Sequence, residues 1–260
     1  MHPVLIEIGH FTIRWYGVMI ATACIVGIWV AGKEAERKGF DKKIIQDFSL
    51  YAIIGAIIGA RFYYVVFGDW SRFLENPLSL FAIWQGGLAI HGGILGGLLV
   101  GVFYTRKHHI SFLKLADTFA PSLILGQAIG RIGCLFNGDA HGYPTDLPWG
   151  IVYSPESPAG QMFPGQAIHP AQLYEMILNL IIFGILWKVR KKMKIDGHLF
   201  LLYVMLYSII RIFVEHFRAD KLTYFSQISA AQSIGVIGIV LSLILMFALN
   251  RKKKTLSASR

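Results

Sequence analysis

Residues 126–142 read GQAIGRIGCLFNGDAHG. Immediately upstream runs FLKLADTFAPSLIL, apolar enough to enter a bilayer, and Arg131 then arrives in the same register among glycines and isoleucines. Burying a guanidinium in hydrocarbon costs about 2.5–3.5 kcal/mol on insertion scales. A chain that keeps an arginine there has something for it to hold.

The composition says where such a chain lives. Of its 260 residues 55% are hydrophobic and only 15% charged, with a mean hydropathy of +0.54, against about 25% charged residues in soluble domains. This is an integral membrane protein. Apolar runs lie near 15–31, 48–67, 86–104, 112–134, 171–187, 198–217 and 229–249, each close to the roughly 20 residues of a spanning helix. The expectation is an all-α polytopic protein of about seven transmembrane helices, a single transmembrane domain over 1–260, with an external head or lid at 135–170.

The net charge of +10 does not point to nucleic acid, because the basic residues form blocks between alternate helices: KEAERKGFDKK (33–43), TRKHHISFLK (105–114), KVRKKMK (188–194) and the tail RKKK (251–254) with Arg260. The positive-inside rule assigns these blocks to the cytoplasm. The N-terminus is then outside and the C-terminus inside. No basic cluster precedes the first apolar run, so no cleavable signal peptide is expected. Cys24 and Cys134 form neither a disulfide framework nor a metal set.

Small residues at spacing four in AIIGAIIGAR (52–61) and HGGILGGLLVG (91–101) predict close helix approach. Walker A, HExxH and GxSxG patterns are missing, which removes the usual warrants for nucleotide binding, zinc hydrolysis and a serine nucleophile. The proline-rich segment 135–170 is the one long connection, and PWGIVY (148–153) within it is compatible with a short strand. On this topology the intramembrane polar residues fall toward the outer ends of the helices: Arg14 and Tyr16, Arg61, Gln85 and His91, Arg131 and Asn137, His169, Gln172, Tyr174 and Glu175, then Tyr207, Arg211 and Glu215, and Gln232. Singly, each has a plain reading: Arg211 and Glu215 form an i,i+4 salt bridge, Arg61 snorkels, Tyr16 and Tyr207 belong to an aromatic belt, and His91 is a satisfied hydrogen-bonding group. Their shared depth favours a polar site in the outer half of the bilayer. Three guanidiniums, Arg61, Arg131 and Arg211, against two glutamates suit a phosphate, which at that depth belongs to a phospholipid.

The motifs GRIGCLFNGDAHG (130–142), RWYG (14–17), GARFYYVVF (59–67), HGG (91–93), HPAQLYE (169–175) and YSIIRIFVEHFRAD (207–220) together resemble bacterial prolipoprotein diacylglyceryl transferases, in order and along almost the whole chain. The resemblance implies an enzyme of the bacterial plasma membrane. It would move the diacylglyceryl group of phosphatidylglycerol to the lipobox cysteine of a preprolipoprotein signal peptide, forming a thioether and releasing glycerol phosphate, with no cofactor or metal. It also implies functional positions at Tyr16, His91, Arg131, Asn137, Gly142, Tyr207, Arg211 and Glu215. In that reading His91 is the thiol base and Arg131 and Arg211 hold the phosphate and stabilise the leaving group. Glu215 orients Arg211, while Tyr16, Arg61, Asn137, Gly142 and Tyr207 line the headgroup site. Cys134 stands where many relatives have Asn, and Arg14 where His often precedes WYG. The residues alone also leave open an anion or lipid transporter, although the inner helix halves look nearly free of polar groups, or a lipid-binding membrane scaffold.

Overall fold

The computed structural model describes residues 3–9, 11–221, 223–225 and 228–258. Arg260 and the side chain of Gln85, both used above, lie outside the described residues. In chain order the elements are a hairpin of β1 (Val4–Ile8) and β2 (Phe11–Arg14); helices α1 (Trp15–Arg37), α2 (Lys42–Gly68) and α3 (Trp70–Glu75); two 3-10 turns at Pro77–Phe81 and Ile83–Gln85; and then α4 (Ile90–Lys107), α5 (Phe112–Asn137), α6 (Pro158–Met162), α7 (Ala171–Val189), α8 (His198–Glu215), the short pair β3 (Thr223–Phe225) and β4 (Ile228–Ser229), and α9 (Ala230–Ala258).

Among the described residues six helices are long and apolar enough to cross a membrane: α1, α2, α5, α7, α8 and α9. The chain is a multi-pass, all-α membrane protein. The seventh expected helix, 86–104, forms as α4 but begins later, at Ile90. Gly86 and Gly87 take φ of +82° and +71°, the left-handed region that breaks a helix before it can start. α4 ends on Thr105, Arg106 and Lys107, so its 18 residues are less apolar than a spanning segment. The expected strand at 148–153 reduces to a single bridge from Ile151 to Ile168. Six prolines between 144 and 170 leave too few consecutive backbone donors for a ladder. The hairpin of β1 and β2 was not expected. Its alternation over VLIEI and FTIR with Gly9 (φ +59°) at the turn is the signal that the longer apolar runs obscured.

The chain forms two compact units: Met1–Ala31 with Ala116–Arg260, and Gly32–Leu115. The second is organised by α2 and α4, and its glycines explain why. A methyl group on Gly59 would strike the carbonyl of Gly92, and one on Gly96 that of Gly55, so the two backbones are in direct contact as the small-residue spacing predicts. Without apolar contrast between helix and lipid, this packing is what holds such a pair.

In the first unit α5, α7 and α8 share an apolar core of Ala120, Ile124, Ile182, Leu186, Leu199 and Tyr203. α9 lies along α8 where Gly235 and Gly238 meet Ile212 and Ser208. Two buried polar groups lie within these helices. Asp117 caps α8, accepting from the backbone N–H of Gly197 at 3.0 Å and of Phe200 at 2.8 Å. Asn179 is fully buried midway along α7. Asp117 could have been foreseen only by knowing that α5 and the start of α8 meet, since its ligands are 80 and 83 residues away.

Candidate active site

Above the apolar core of the first unit, the next turns of the same three helices are polar. One to two turns beyond Ile124 on α5 come Gln127 and Arg131; toward the start of α7 from Ile182 come Asn179 and Glu175; after Tyr203 on α8 come Tyr207 and Arg211. Spacings of three and four keep these residues on one helix face, so the face that carries the core also carries the charged groups. Gln127 donates to the Tyr203 hydroxyl at 3.0 Å. Arg131 Nη2 donates to Glu175 Oε1 at 2.6 Å, and the Tyr207 hydroxyl donates to the same oxygen at 3.3 Å. The side chain of Glu175 is 2% exposed and that of Arg131 18%. A buried carboxylate is tolerable only when so paired, and this pair is the first partner Arg131 has.

The pairing leaves part of the guanidinium uncommitted. Among the described residues Nη1 has only Cys134 Sγ at 3.8 Å, a weak acceptor. One turn before the end of α8, Arg211 Nη1 stands 2.7 Å from Glu215 Oε2. The angle there falls outside hydrogen-bond geometry, so the contact is an ion pair rather than a hydrogen bond. Both arginines thus carry a carboxylate that fixes their position and retain donors for something else.

The segment after α5 closes over this region. Asn137 donates to the Asp139 carboxylate, and Gln172 Nε2 to the Asp139 carbonyl at 2.6 Å. Gly142 is bridged to Arg218, and its N–H donates to the His169 carbonyl at 3.0 Å. A Cβ on Gly142 would meet His169 and the Phe217 carbonyl, so only glycine fits where the ends of α5, α7 and α8 are tied together. Tyr143, His169 and Ala219 extend the tie through their backbone N–H groups. Asp220 accepts from the Ala140 N–H at 3.1 Å and from both Nε and Nη2 of Arg218 at 2.9 and 3.0 Å. Ala140 takes φ +57° there. Beneath, the Tyr153 hydroxyl is buried beside Gln172 without a well-formed hydrogen bond among the described residues, and burial pushes its pKa up to about 12.

Tyr16, in the first turn of α1, is 43% exposed, and its backbone packs on Gly133, where a Cβ would come within 3.1 Å of the Tyr16 Cα. The stacking of Trp15 on Phe136 at 4.7 Å pins the same helix start to the end of α5. Tyr16 is within electrostatic reach of Cys134, Asp139 and Arg131. The structure therefore brings Tyr16, Arg131, Asn137, Tyr207, Arg211, Glu215 and Gly142 into one unit. Glu175, Asp139 and Gln172 join them. The sequence marked Glu175 as a polar group at a helix start without assigning it a partner, and Asp139 and Gln172 act through loop geometry that no spacing rule encodes.

Arg61 and His91 belong to the second unit. Arg61 is 5% exposed and directs its donors to main-chain carbonyls: Nε to Leu80 at 3.1 Å, Nη2 to Ser79 at 2.5 Å, and Nη1 to Gly86 and Gly87 at 2.6 and 3.1 Å. It clamps the segment that leads into α4, and does not snorkel. His91 is exposed in the first turn of α4, its ring 6.0 Å from that of Tyr63.

Fold and site together define a polytopic α-helical membrane protein with a cluster of charge-paired arginines beside the proline-rich segment that follows α5. Residues 3–248 match the family model for prolipoprotein diacylglyceryl transferase. Proteins named phosphatidylglycerol–prolipoprotein diacylglyceryl transferase are similar along nearly the full length: 42% identical from Clostridioides difficile (98% of this chain and 98% of the relative), 42% from Bacillus velezensis (95% and 91%), and 41% from Nostoc sp. (93% and 87%). The chain belongs to the prolipoprotein diacylglyceryl transferase family, and is a transferase.

Proposed function

We propose that this enzyme moves the diacylglyceryl group of phosphatidylglycerol onto the lipobox cysteine thiol in the signal peptide of a preprolipoprotein. The observation that carries the reading beyond the family name is the half-committed guanidinium of Arg131: held by Glu175 on one nitrogen, it has a second nitrogen facing only a sulfur. In the reaction the thiol sulfur attacks the glycerol CH2. The S–C bond forms as the C–O bond to phosphate breaks, the electron pair leaves with the glycerol phosphate oxygen, and the thiol proton passes to a base. A thiol of pKa about 8.5 is a few per cent thiolate at neutral pH, so a base accelerates the step. His91 is assigned that role, resting on the resemblance.

Arg131 and Arg211 take the phosphate and the charge that gathers on the departing oxygen, an effect magnified where water is excluded. Glu175 and Glu215 hold the two guanidiniums in place. Tyr16, Tyr207 and Asn137 supply hydrogen bonds to the headgroup; Gly142 keeps the cap closed on the site. Arg61 contributes through the segment it clamps. The protein sits in the plasma membrane with its N-terminus outside, its basic loops and C-terminus in the cytoplasm and the site toward the outer leaflet, a reading supported by the distribution of Lys and Arg.

The deciding experiment incubates purified protein with phosphatidylglycerol and a lipobox peptide and looks for the thioether product by mass. Absence of product from folded protein would overturn the proposal. Sidedness is tested by cysteines at Asp146 and Lys192 in a background lacking Cys24 and Cys134. A membrane-impermeant thiol reagent on intact cells should label only position 146, and labelling at 192 alone would invert the topology.

A further inference from the structure

A cavity of the first unit lies away from the charged cluster, where α9 ends beside the turn joining α7 to α8. It encloses about 520 Å³ among Ile195, Phe247, Asn250, Arg251, Lys253 and Lys254. A second lobe of about 320 Å³ shares Ile195, Asn250 and Lys253 with it and adds Lys192, Lys194 and His198. Asp196, the acid of that turn, lines neither lobe. The cationic groups therefore converge on a concave surface instead of being spread over a convex one, as topology signals alone would allow.

Two further observations separate this cavity from a loose basic tail. The turn that forms one wall is anchored: Asp117 accepts from the N–H groups of Gly197 and Phe200, and Leu199 beside them is fully buried. The opposite wall is amphiphilic, since Phe247 and Met246 continue the apolar surface of α9 into the bilayer while Arg251 lies over the Phe247 ring at 5.0 Å. A ligand that fits has a phosphate for the ammonium groups and an acyl chain for the helix surface below them. Lysines bind phosphate as point charges, and basic pockets at the ends of transmembrane helices recruit anionic headgroups.

We propose that this two-lobed cavity binds a phosphate-bearing anion, the headgroup of an anionic phospholipid, at a site separate from the one that carries the transfer chemistry. The occupant lies in the leaflet on the basic side of the protein and is not consumed. The proposal does not depend on the identity of the reaction.

The test uses purified full-length protein in neutral detergent, with dioleoyl phosphatidic acid, dioleoyl phosphatidylcholine and inorganic phosphate as probes, and native mass spectrometry to count bound lipid. Phosphatidic acid should be retained in preference to phosphatidylcholine. The combined variant Lys192→Gln/Lys194→Gln/Lys253→Gln should retain it on the order of 100-fold more weakly, with an unchanged melting temperature and unchanged transfer activity. Millimolar inorganic phosphate that fails to displace phosphatidic acid supports the lipid as ligand; phosphate that binds alone and displaces it equally well overturns the lipid and leaves a free-phosphate site. Equal retention of the two lipids, or wild-type retention by the triple variant, overturns the proposal altogether. Should the triple variant melt early, Lys253→Glu alone is measured; this single charge reversal in the residue common to both lobes should weaken phosphatidic acid retention, and failure to do so counts against the site.

Discussion

Arg61 is a buried guanidinium and Arg131 a half-buried one, both near the ends of apolar helices, yet their surroundings are opposite in kind. Arg61 is ringed by four carbonyls of its own unit's backbone, whereas Arg131 is paired with one carboxylate and keeps a nitrogen that faces only Cys134. Carbonyl dipoles satisfy the donors and hold a loop. A carboxylate fixes the charge while leaving the fork partly open. The difference teaches that depth and residue type alone do not mark a ligand-binding arginine; what matters is how many of its five donors the fold has already taken.

The sharpest way to break this contrast is substitution at Arg131. Lys keeps the charge but loses the planar two-donor geometry, so Arg131→Lys should be nearly as damaging as Arg131→Ala. Single-turnover thioether formation should fall about 10²–10³-fold for each. A near-wild-type rate for the lysine variant would end the phosphate role and make Arg131 a packing residue like Arg61. Next in size, Arg61→Lys should cost about 3 kcal/mol of stability, as hydrogen bonds from a charged donor to several carbonyls are lost. It should also raise amide exchange over 79–89 and leave the rate per folded molecule largely intact. An Arg61→Lys protein that melts normally and exchanges normally but does not turn over would reverse the assignment and return Arg61 to the headgroup site.

Two smaller effects sharpen the comparison. Cys134→Asn replaces the sulfur facing Arg131 with a carboxamide and should keep activity within about fivefold, because one neutral hydrogen bond is worth roughly 1 kcal/mol. Loss of turnover in both Cys134→Asn and Cys134→Ala, in protein that still inserts, would put the thiol into the chemistry. Tyr153→Phe should be close to neutral at pH 7, since it removes a buried hydroxyl that makes no well-formed hydrogen bond among the described residues. The folded-state pKa of Tyr153 lies above its ordinary value of 10.0, at about 12, so its neutral form is favoured in the fold. That contribution is whole below pH 10 and is lost as pH rises toward 12. The phenylalanine variant should therefore melt at a higher temperature than wild type between pH 10 and 12. Identical alkaline melting curves would show that the hydroxyl is not desolvated.

Asp117 and Asn179 show where reading along the chain stops. Asp117 looks misplaced in sequence because the N–H groups it caps arrive 80 and 83 residues later. Glu175 was legible as a polar group at a helix start, but its role depends on α7 returning antiparallel to α5, which a list of polar positions does not contain. Gly142 came with the motif; that three chain segments meet there and exclude a Cβ is visible only in space.

By itself the sequence determined the membrane environment, the helices and the family, because hydrophobic length, charge blocks and motif residues are local or additive along the chain. It also determined the intimate contact of α2 with α4, since a spacing of four among small residues says which face has no side chains. The tertiary structure alone decided which arginine is spoken for. Whether a buried cation meets a carboxylate or a ring of carbonyls depends on groups brought together from distant parts of the chain, and the energy of such a pair is set by distance and desolvation, to which sequence separation is blind.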